Sequence, residues 1–127
     1  EGGSANLEDA NLTPEVVLRA LTRAVARVVE GAKRSATPPG PQLIALTNGR
    51  LLVTLRHGEG AAPLGFLRLG AVNDGGRSYE HFRGVLMSSV VAAPAAEGAE
   101  SAALEQIPVD HALLVGRDLN PRVVPAR

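Results

Sequence analysis

The sequence of 127 residues contains no cysteine and no tryptophan, and its only aromatic residues are Phe66, Tyr79 and Phe82. Without cysteine, the chain can form no disulfide and no thiolate metal site, and it can supply no cysteine nucleophile. Aliphatic side chains and alanine must therefore fill the interior. Such a core has little bulk, so we expect it to gain from packing against a larger partner.

Excess charge and long apolar runs are also missing from the sequence. The 13 basic residues balance the 13 acidic ones, whereas proteins whose main task is to hold nucleic acid carry a clear positive excess. No apolar run approaches the ~20 residues that a membrane-spanning helix needs. We therefore expect no nucleic-acid partner and no membrane partner, with the cytoplasm as the default compartment.

The first residues are Glu1, Gly2, Gly3 and Ser4, without an initiator methionine. We expect either that a segment was removed or that the chain is part of a longer polypeptide. Residues 1–12 are small and polar with no periodicity, which predicts a flexible N-terminal segment. The domain itself is expected at residues 13–127, since a chain of this length suits one domain.

A helix start is indicated at Thr13, Pro14 and Glu15. The threonine side chain can cap free N–H groups, proline suits the first helical position, and an acidic residue complements the positive end of the helix dipole. We predict a helix from there to about Gly31. The predicted apolar stripe comprises Val17, Leu21, Ala24, Val25 and Val28. Another face carries Arg19, Arg23 and Arg27, which we interpret as a solvated face rather than an anion-binding ridge.

Strand signals follow a proline-rich loop at residues 36–41. Asn48 and Gly49 lie between two apolar runs, and this pattern predicts a hairpin at residues 42–57. Further strands are predicted at residues 66–69, 79–91, 111–116 and 122–124, the last two as a second hairpin. The Ala-rich segment at residues 92–103 predicts a surface insertion. One long helix on a mostly antiparallel sheet is an α+β layer, which leaves one sheet face uncovered unless a second layer packs on it.

Metal and cofactor binding have little support in the pattern of potential ligands. His57, His81 and His111 lie far apart, and none has a partner at ligand spacing on a helix. The acidic residues fall mostly in loops or at helix ends, whereas paired carboxylates for acid–base chemistry need converging strands. We therefore expect neither a metal site nor a cofactor.

Polar residues at the predicted strand ends are the remaining candidates. Ser88 or Ser89 could join His111 and Asp110 in a Ser-His-Asp arrangement, but neither serine lies in a nucleophile elbow. We interpret the serine pair as a strand end. Arg56 is the outstanding polar residue of the predicted sheet, placed where a guanidinium can fix a carboxylate or hold a neighbouring loop.

Four segments, in order and spacing, resemble the small amidohydrolase branch of the class II glutamine amidotransferases, a family with an N-terminal nucleophile (Ntn). They are the helix at residues 13–31, the hairpin Leu43-Ile44-Ala45-Leu46-Thr47-Asn48-Gly49-Arg50-Leu51-Leu52-Val53-Thr54-Leu55-Arg56-His57, the strand at residues 84–89, and the closing segment Gln106-Ile107-Pro108-Val109-Asp110-His111-Ala112-Leu113-Leu114-Val115. Two departures stand out. Val90 and Val91 follow the serines where the family shows Glu and Pro, and His57 replaces the usual Tyr.

The resemblance implies half of an Ntn-type αββα four-layer sandwich, to which this chain would contribute the C-terminal part. By resemblance, the N-terminal Cys of the absent half attacks a γ-glutamyl amide, with its own α-amino group as base and an Asn-Gly backbone corner as oxyanion hole. A thioester forms and is hydrolysed. This chain alone is then inactive and carries no catalytic residue.

The implied partners are a Cys-initiated N-terminal half, as a separate chain or a missing segment, and a small γ-glutamyl substrate, either glutamine or a γ-glutamyl thiol compound. Arg56, Ser88 and Ser89 are the residues expected to support or line the site. One alternative is a noncatalytic scaffold or regulatory module with the same half-sandwich, in which Val90 and Val91 belong to an interface. Another is an unrelated small-ligand α+β domain that resembles the family by chance.

Overall fold

The computed structural model describes residue 6 and residues 8–70, 72–74, 77–79, 83–89 and 104–126. Within these ranges the protein has an α+β fold, with one helix and antiparallel strands. The elements are α1 (Pro14–Arg34), β1 (Gln42–Thr47), β2 (Leu52–His57), β3 (Gly65–Leu69), β4 (Val72–Asp74), β5 (Arg77–Tyr79), β6 (Gly84–Ser88), β7 (Glu105–Gln106), β8 (His111–Val115) and β9 (Arg122–Pro125). Outside the described residues lie His81, Phe82, Val90, Val91 and the predicted insertion at residues 92–103.

The chain divides into two compact units. The first combines Glu1–Ala62 with Val109–Arg127, and the second is Pro63–Pro108. In the first unit the strands form one antiparallel sheet in the order β1-β2-β8-β9. Both predicted hairpins are therefore confirmed, and the pairing of β2 with β8, in which Thr54 lies opposite Leu113, joins them into a single sheet.

The turn between β1 and β2 shows why the first hairpin was predictable. Gly49 has a φ of 79°, in the left-handed region that glycine adopts without the steric cost of a Cβ atom. The Asn48 side-chain oxygen accepts the backbone N–H groups of Arg50 at 3.0 Å and Leu51 at 3.1 Å. The Thr47 hydroxyl donates to the carbonyl oxygen of Leu51 at 2.8 Å. Local chemistry thus fixes the turn and with it the strand register.

Helix α1 begins at Pro14 as predicted and ends at Arg34, about one turn beyond the predicted end at Gly31. Thr13 is the N-cap residue, but its side chain makes no cap hydrogen bond; its carbonyl oxygen accepts the N–H of Val17 at 3.3 Å. The longer helix ends with basic residues in its last turn, where they complement the negative end of the dipole. Within the described ranges, no helix has both the length and the apolar composition to cross a membrane.

The face of α1 that packs on the sheet differs from the predicted stripe. Val17, Leu18 and Val25 are buried, whereas Ala24 is exposed and Val28 is 58% exposed. The packed row comprises Val17, Leu21, Val25 and Val29. Successive residues of this row are four positions apart, and each step rotates by about 40° around the helix axis. The predicted stripe also included steps of three residues, which lead to Ala24 and Val28 on a different part of the helix surface. The exposed arginines, as interpreted from the sequence, are Arg19, Arg23 and Arg27.

The core of the first unit lies between α1 and one face of its sheet. On the sheet side it contains Val53 and Leu55 of β2 and Ala112 and Leu114 of β8, each at most 1% exposed. Complete burial of one aliphatic side chain of this size contributes about 1.5–3 kcal/mol. These alternating positions define the helix-facing side of β2 and β8, so Thr54 and Arg56 of β2 and their cross-strand partners Leu113 and His111 of β8 belong to the opposite face.

The second unit contains a three-stranded antiparallel sheet in the order β6-β3-β7 and a separate pair, β4 with β5. Phe66 and Ile107 are buried in this unit, and the Ile107 N–H donates to the carbonyl oxygen of Leu64 at 2.8 Å. The predicted strand at residues 79–91 is wrong in extent. Among the described residues, Tyr79 pairs with β4, whereas Gly84–Ser88 pairs with β3, so they belong to two separate strands; Val90 and Val91 lie outside the described residues.

An ion pair links α1 to β9, because Arg122 Nη2 donates to Glu15 Oε1. This hydrogen bond is the main reason why the pKa of Glu15 lies below its ordinary value of 4.5, and a backbone hydrogen bond lowers the pKa further. Both side chains remain about half exposed, so the pair is screened by solvent.

Substitution Arg122→Met is expected to lower the free energy of unfolding at pH 7 by at most about 1 kcal/mol. Because the folded-state pKa of Glu15 is depressed, the contribution is present above pH 4.5 and disappears as the pH falls through the lowered pKa. Urea unfolding at pH 7 and at pH 3 measures this, with the exposed Arg19→Met as control. A loss of equal size at both pH values would contradict the prediction.

Candidate functional site

Arg56 lies in β2, opposite Leu43 of β1 and His111 of β8. Its side chain is half-buried, and Nη2 donates to the carbonyl oxygen of Ala61 at 3.0 Å. Ala61 is buried, and its N–H donates to the Gly58 carbonyl oxygen at 3.2 Å. Arg56 thus holds the loop that follows its own strand, one of the two roles expected from the sequence.

Substitution Arg56→Met retains the apolar stem and removes the donors to Ala61. We expect the free energy of unfolding to fall by about 1–3 kcal/mol, because a half-buried carbonyl oxygen loses a charged partner. Urea denaturation measures the loss, and Arg50→Met in the exposed turn between β1 and β2 should change stability by less than about 0.5 kcal/mol. Unchanged stability for Arg56→Met would show that this arginine has no structural role.

Ser88 and Ser89 belong to the second unit, whereas Arg56 belongs to the first. Ser88 is the last residue of β6, lies opposite Gly65 of β3, and is half-buried; Ser89 follows the strand and is exposed. The interpretation of the serine pair as a strand end is confirmed. Its role at a substrate site stays a prediction.

Asp110 makes polar contacts with parts of the first unit that are distant in the chain. Its Oδ1 accepts hydrogen bonds from the Gly58 N–H and from His57 Nδ1, both at 3.0 Å. Its carbonyl oxygen accepts the N–H of Ala126 at 2.9 Å. One residue therefore connects the end of β2, the start of β8 and the end of β9, with a backbone φ of 57° in the left-handed region that Asp tolerates better than most residues.

The Asp110 contact replaces the pairing considered from sequence, in which Asp110 would join His111. His111 Nδ1 instead contacts the carbonyl oxygen of Val109 at 3.0 Å, so this nitrogen carries the proton. His57 likewise must donate from Nδ1 to the Asp110 carboxylate, which leaves Nε2 as the acceptor of the neutral ring. The carboxylate–imidazole pair thus has the orientation used to hold a histidine as a proton acceptor.

Among the described residues of the first unit, one cavity lies at the start of α1 and another along its C-terminal half. One, of about 280 Å³, lies at the helix start and is lined by Asp9, Pro14, Arg50 and Arg117, among others. Its charges are of both signs, and Arg117 Nη2 donates to the Ala10 carbonyl oxygen at 3.3 Å. The other, of about 360 Å³, lies along the C-terminal half of the helix and includes His57 in its wall. Only the second cavity has a histidine held by a carboxylate.

Sequence reasoning missed the His57–Asp110 pair because its members are far apart in the chain. The available signal was weak: a histidine and a glycine at the end of a predicted strand, and an aspartate immediately before another strand. Neither pattern specifies which strands are neighbours. The pairing of β2 with β8 supplies that information.

Comparison with known proteins identifies no relative of this chain. No protein-family model, no curated protein and no solved structure matches it.

Proposed function

We propose that this chain is the C-terminal part of a glutamine amidotransferase-like amidohydrolase that cleaves a γ-glutamyl amide. The substrate is glutamine or a γ-glutamyl thiol compound, and the nucleophile is the N-terminal Cys of a companion segment or chain. The compartment that we expect is the cytoplasm. The chain itself supplies a sheet, a helix layer and residues that support the site.

The arrangement of the two hairpins is the observation that carries the proposal. The resemblance covers one hairpin in β1 and β2 and a closing strand in β8, and these strands are neighbours in one antiparallel sheet. Helix α1, the first segment of the resemblance, packs on one face of that sheet. A helix layer on an antiparallel sheet is the arrangement that one half of an αββα sandwich would need, and it supports the proposal to that extent.

The sheet face opposite α1 also supports the proposal. The exposed apolar positions of this face lie on β1, where Leu43 is 40% exposed and Ala45 is exposed too. Farther across the same face, Thr54 of β2 and Leu113 of β8 are already buried, at 1% and 0% exposure. A sheet face with such apolar positions is stabilised when another layer covers it. In the proposed enzyme, the sheet of the Cys-initiated half provides such a layer.

The proposed reaction needs no metal and no redox partner. The Cys thiolate adds to the γ-carbonyl carbon, and the amide nitrogen leaves with a proton delivered by the terminal ammonium group. The resulting thioester is then attacked by water, which releases glutamate and regenerates the thiol. Since none of the 127 residues is a cysteine, this chain provides no atom for the nucleophilic step.

Site support is proposed for Arg56, Ser88 and Ser89. Arg56 contributes by holding the loop at Ala61 in place through its guanidinium group. Ser88 and Ser89 would contribute hydroxyl groups, which both donate and accept hydrogen bonds. Ser88→Ala and Ser89→Ala are then expected to raise the KM for a γ-glutamyl amide several-fold, with little change in stability at the exposed Ser89.

Native purification followed by a glutaminase assay tests the proposal. We expect this chain to copurify with, or to be continuous with, a Cys-initiated segment, and the assembly to release glutamate from glutamine. A thiol-directed γ-glutamyl analogue should abolish the release, and mass spectrometry should locate the adduct on the N-terminal Cys. The isolated chain, assayed in parallel, should be inactive.

Two results would overturn the proposed enzyme. The chain purified alone, folded and monomeric, without any Cys-initiated segment would remove the source of the nucleophile. An assembly with an intact N-terminal Cys but no glutamate or ammonia release would instead support the noncatalytic scaffold.

A further inference from the structure

The cavity along the C-terminal half of α1 has an apolar floor. Val25 and Leu55, which belong to the core, are 5% and 1% exposed, and Val29 and Ala126 pack against that core. The volume is about 360 Å³, within the range of small-molecule sites, about 300–1,000 Å³. For comparison, an apolar cavity of about 150 Å³ holds one benzene molecule. The space therefore suits a molecule with two fused rings or an aliphatic group of similar size.

His57 gives this cavity one directional polar group. Its Nδ1 is engaged by Asp110 at 3.0 Å, and Asp110 is itself fixed by the Gly58 N–H at 3.0 Å. The carboxylate accepts only, so Nδ1 carries the proton and Nε2 of the neutral ring is an acceptor. The side chain remains 35% exposed. A ligand in the cavity thus meets a histidine whose open nitrogen favours a hydroxyl or amine donor.

The charges around the cavity favour a neutral ligand. Lys33 and Glu30 both contribute to its wall and carry opposite signs. Glu30 also lies 3.7 Å from Arg34 across an exposed i,i+4 pair. Thr22 lines the cavity as well, but its hydroxyl donates to the Leu18 carbonyl oxygen at 2.8 Å. Neither a cation nor an anion is selected, and the hydroxyl proton of Thr22 is already used.

We infer that this cavity is a binding site for a small, neutral, largely apolar alcohol or phenol, whose hydroxyl group donates a hydrogen bond to His57 Nε2. The apolar part of the ligand lies against Val29 and Ala126, the partly buried apolar residues of the wall, with Val25 and Leu55 behind them. This site is separate from the proposed amide hydrolysis and does not depend on it. Binding adds no covalent step, and Asp110 acts by holding the ring in the accepting tautomer.

Titration of the full chain with 1-naphthol and with 1-methoxynaphthalene tests the inference. The two probes have the same ring system, but the methyl ether has no hydroxyl proton. We expect saturable binding of both, with naphthol bound about tenfold more tightly, since one hydrogen bond to a half-exposed acceptor has an effect of this size. Fluorescence titration gives both affinities, and the ¹⁵N shift of His57 Nε2 should move only with naphthol.

Substitutions in and outside the cavity test whether His57 causes the difference in affinity between the two probes. In His57→Phe the ratio of the two affinities should fall to about one, whereas in His111→Phe, which replaces a histidine outside the cavity, the tenfold ratio should persist. Ala26→Trp, at an exposed helix position on the cavity wall, should block both probes while far-UV circular dichroism confirms folding. Equal binding of the probes by the unmodified chain, a ratio unchanged in His57→Phe, or no saturable binding would each overturn the inference.

Discussion

Replacing Leu114 with alanine is expected to lower the free energy of unfolding by about 2–5 kcal/mol. Leu114 lies in β8, between β2 and β9, and is 1% exposed in the core against α1. The substitution removes buried apolar surface and leaves a cavity that a sheet strand paired on both sides cannot easily close. Since domains of this kind are stable by about 5–15 kcal/mol, the loss is a large fraction of the total.

Leu43→Ala provides the matched control for Leu114→Ala. Leu43 lies in β1 at the edge of the same sheet and is 40% exposed, so its truncation should cost less than about 1 kcal/mol. Urea denaturation of both variants under the same conditions measures the difference. Equal losses at the two positions would mean that the core is not where the structure places it.

Replacing Gly65 with alanine is expected to cost about 1–3 kcal/mol through overpacking in the second unit. A Cβ atom at this position would lie 2.8 Å from Leu104 Cβ and 3.3 Å from the Glu105 carbonyl oxygen. Leu104 Cβ is bonded directly to the backbone just before β7, and the Glu105 oxygen is part of the backbone of β7. Neither atom can move aside as the end of a flexible side chain can. The pairing of Gly65 with Gln106 should weaken as a result.

Gly70→Ala is the control for Gly65→Ala, because it lies just beyond the same strand and a Cβ atom there would meet no heavy atom within 4 Å. Its effect should remain within about 0.5 kcal/mol of zero. Hydrogen exchange at Ile107, whose N–H donates to Leu64, reports on the second unit directly. Faster exchange in Gly65→Ala but not in Gly70→Ala is the expected result; equal exchange in both would exclude a clash.

Elements with strong local signals were predicted well. Pro14 sets the helix start because its fixed φ and missing N–H suit that position, and Asn48 with Gly49 sets the first hairpin because the turn geometry requires them. The exposed arginine face of α1 was also predictable from its spacing. In each case the physical cause lies within a few residues of the element that it determines.

Features that depend on distant residues were missed. β7 has only two residues, Glu105–Gln106, and its existence depends on Gly65 being small enough for close pairing. The predicted stripe on α1 placed Val28 inwards, but its side chain is exposed. The angle at which the helix crosses the sheet decides which side chains are buried, and that angle depends on the surface of the sheet as well as on the helix. No periodicity in one segment contains that information.

The candidate site likewise combines one locally determined contact with another that depends on distant residues. Arg56 was identified because an arginine at the end of an apolar strand is unusual, and its contact with Ala61 lies only a few residues away. The contact between Gly58 and Asp110 joins residues 52 positions apart. The His57 ring is oriented by that distant carboxylate, so neither its tautomer nor the cavity beside it follows from the residues around His57.

The central pairing of β2 with β8 also has a consequence for how the first unit folds. Each hairpin can form locally, but an isolated two-stranded hairpin is only marginally stable in water. Joining the hairpins requires the whole segment between Gly58 and Asp110 to close into a loop, at an entropy cost that slows folding. During synthesis, therefore, the edge of β2 that later pairs with β8 must remain open until β8 emerges, and that interval is when the chain is most exposed to pairing with another copy.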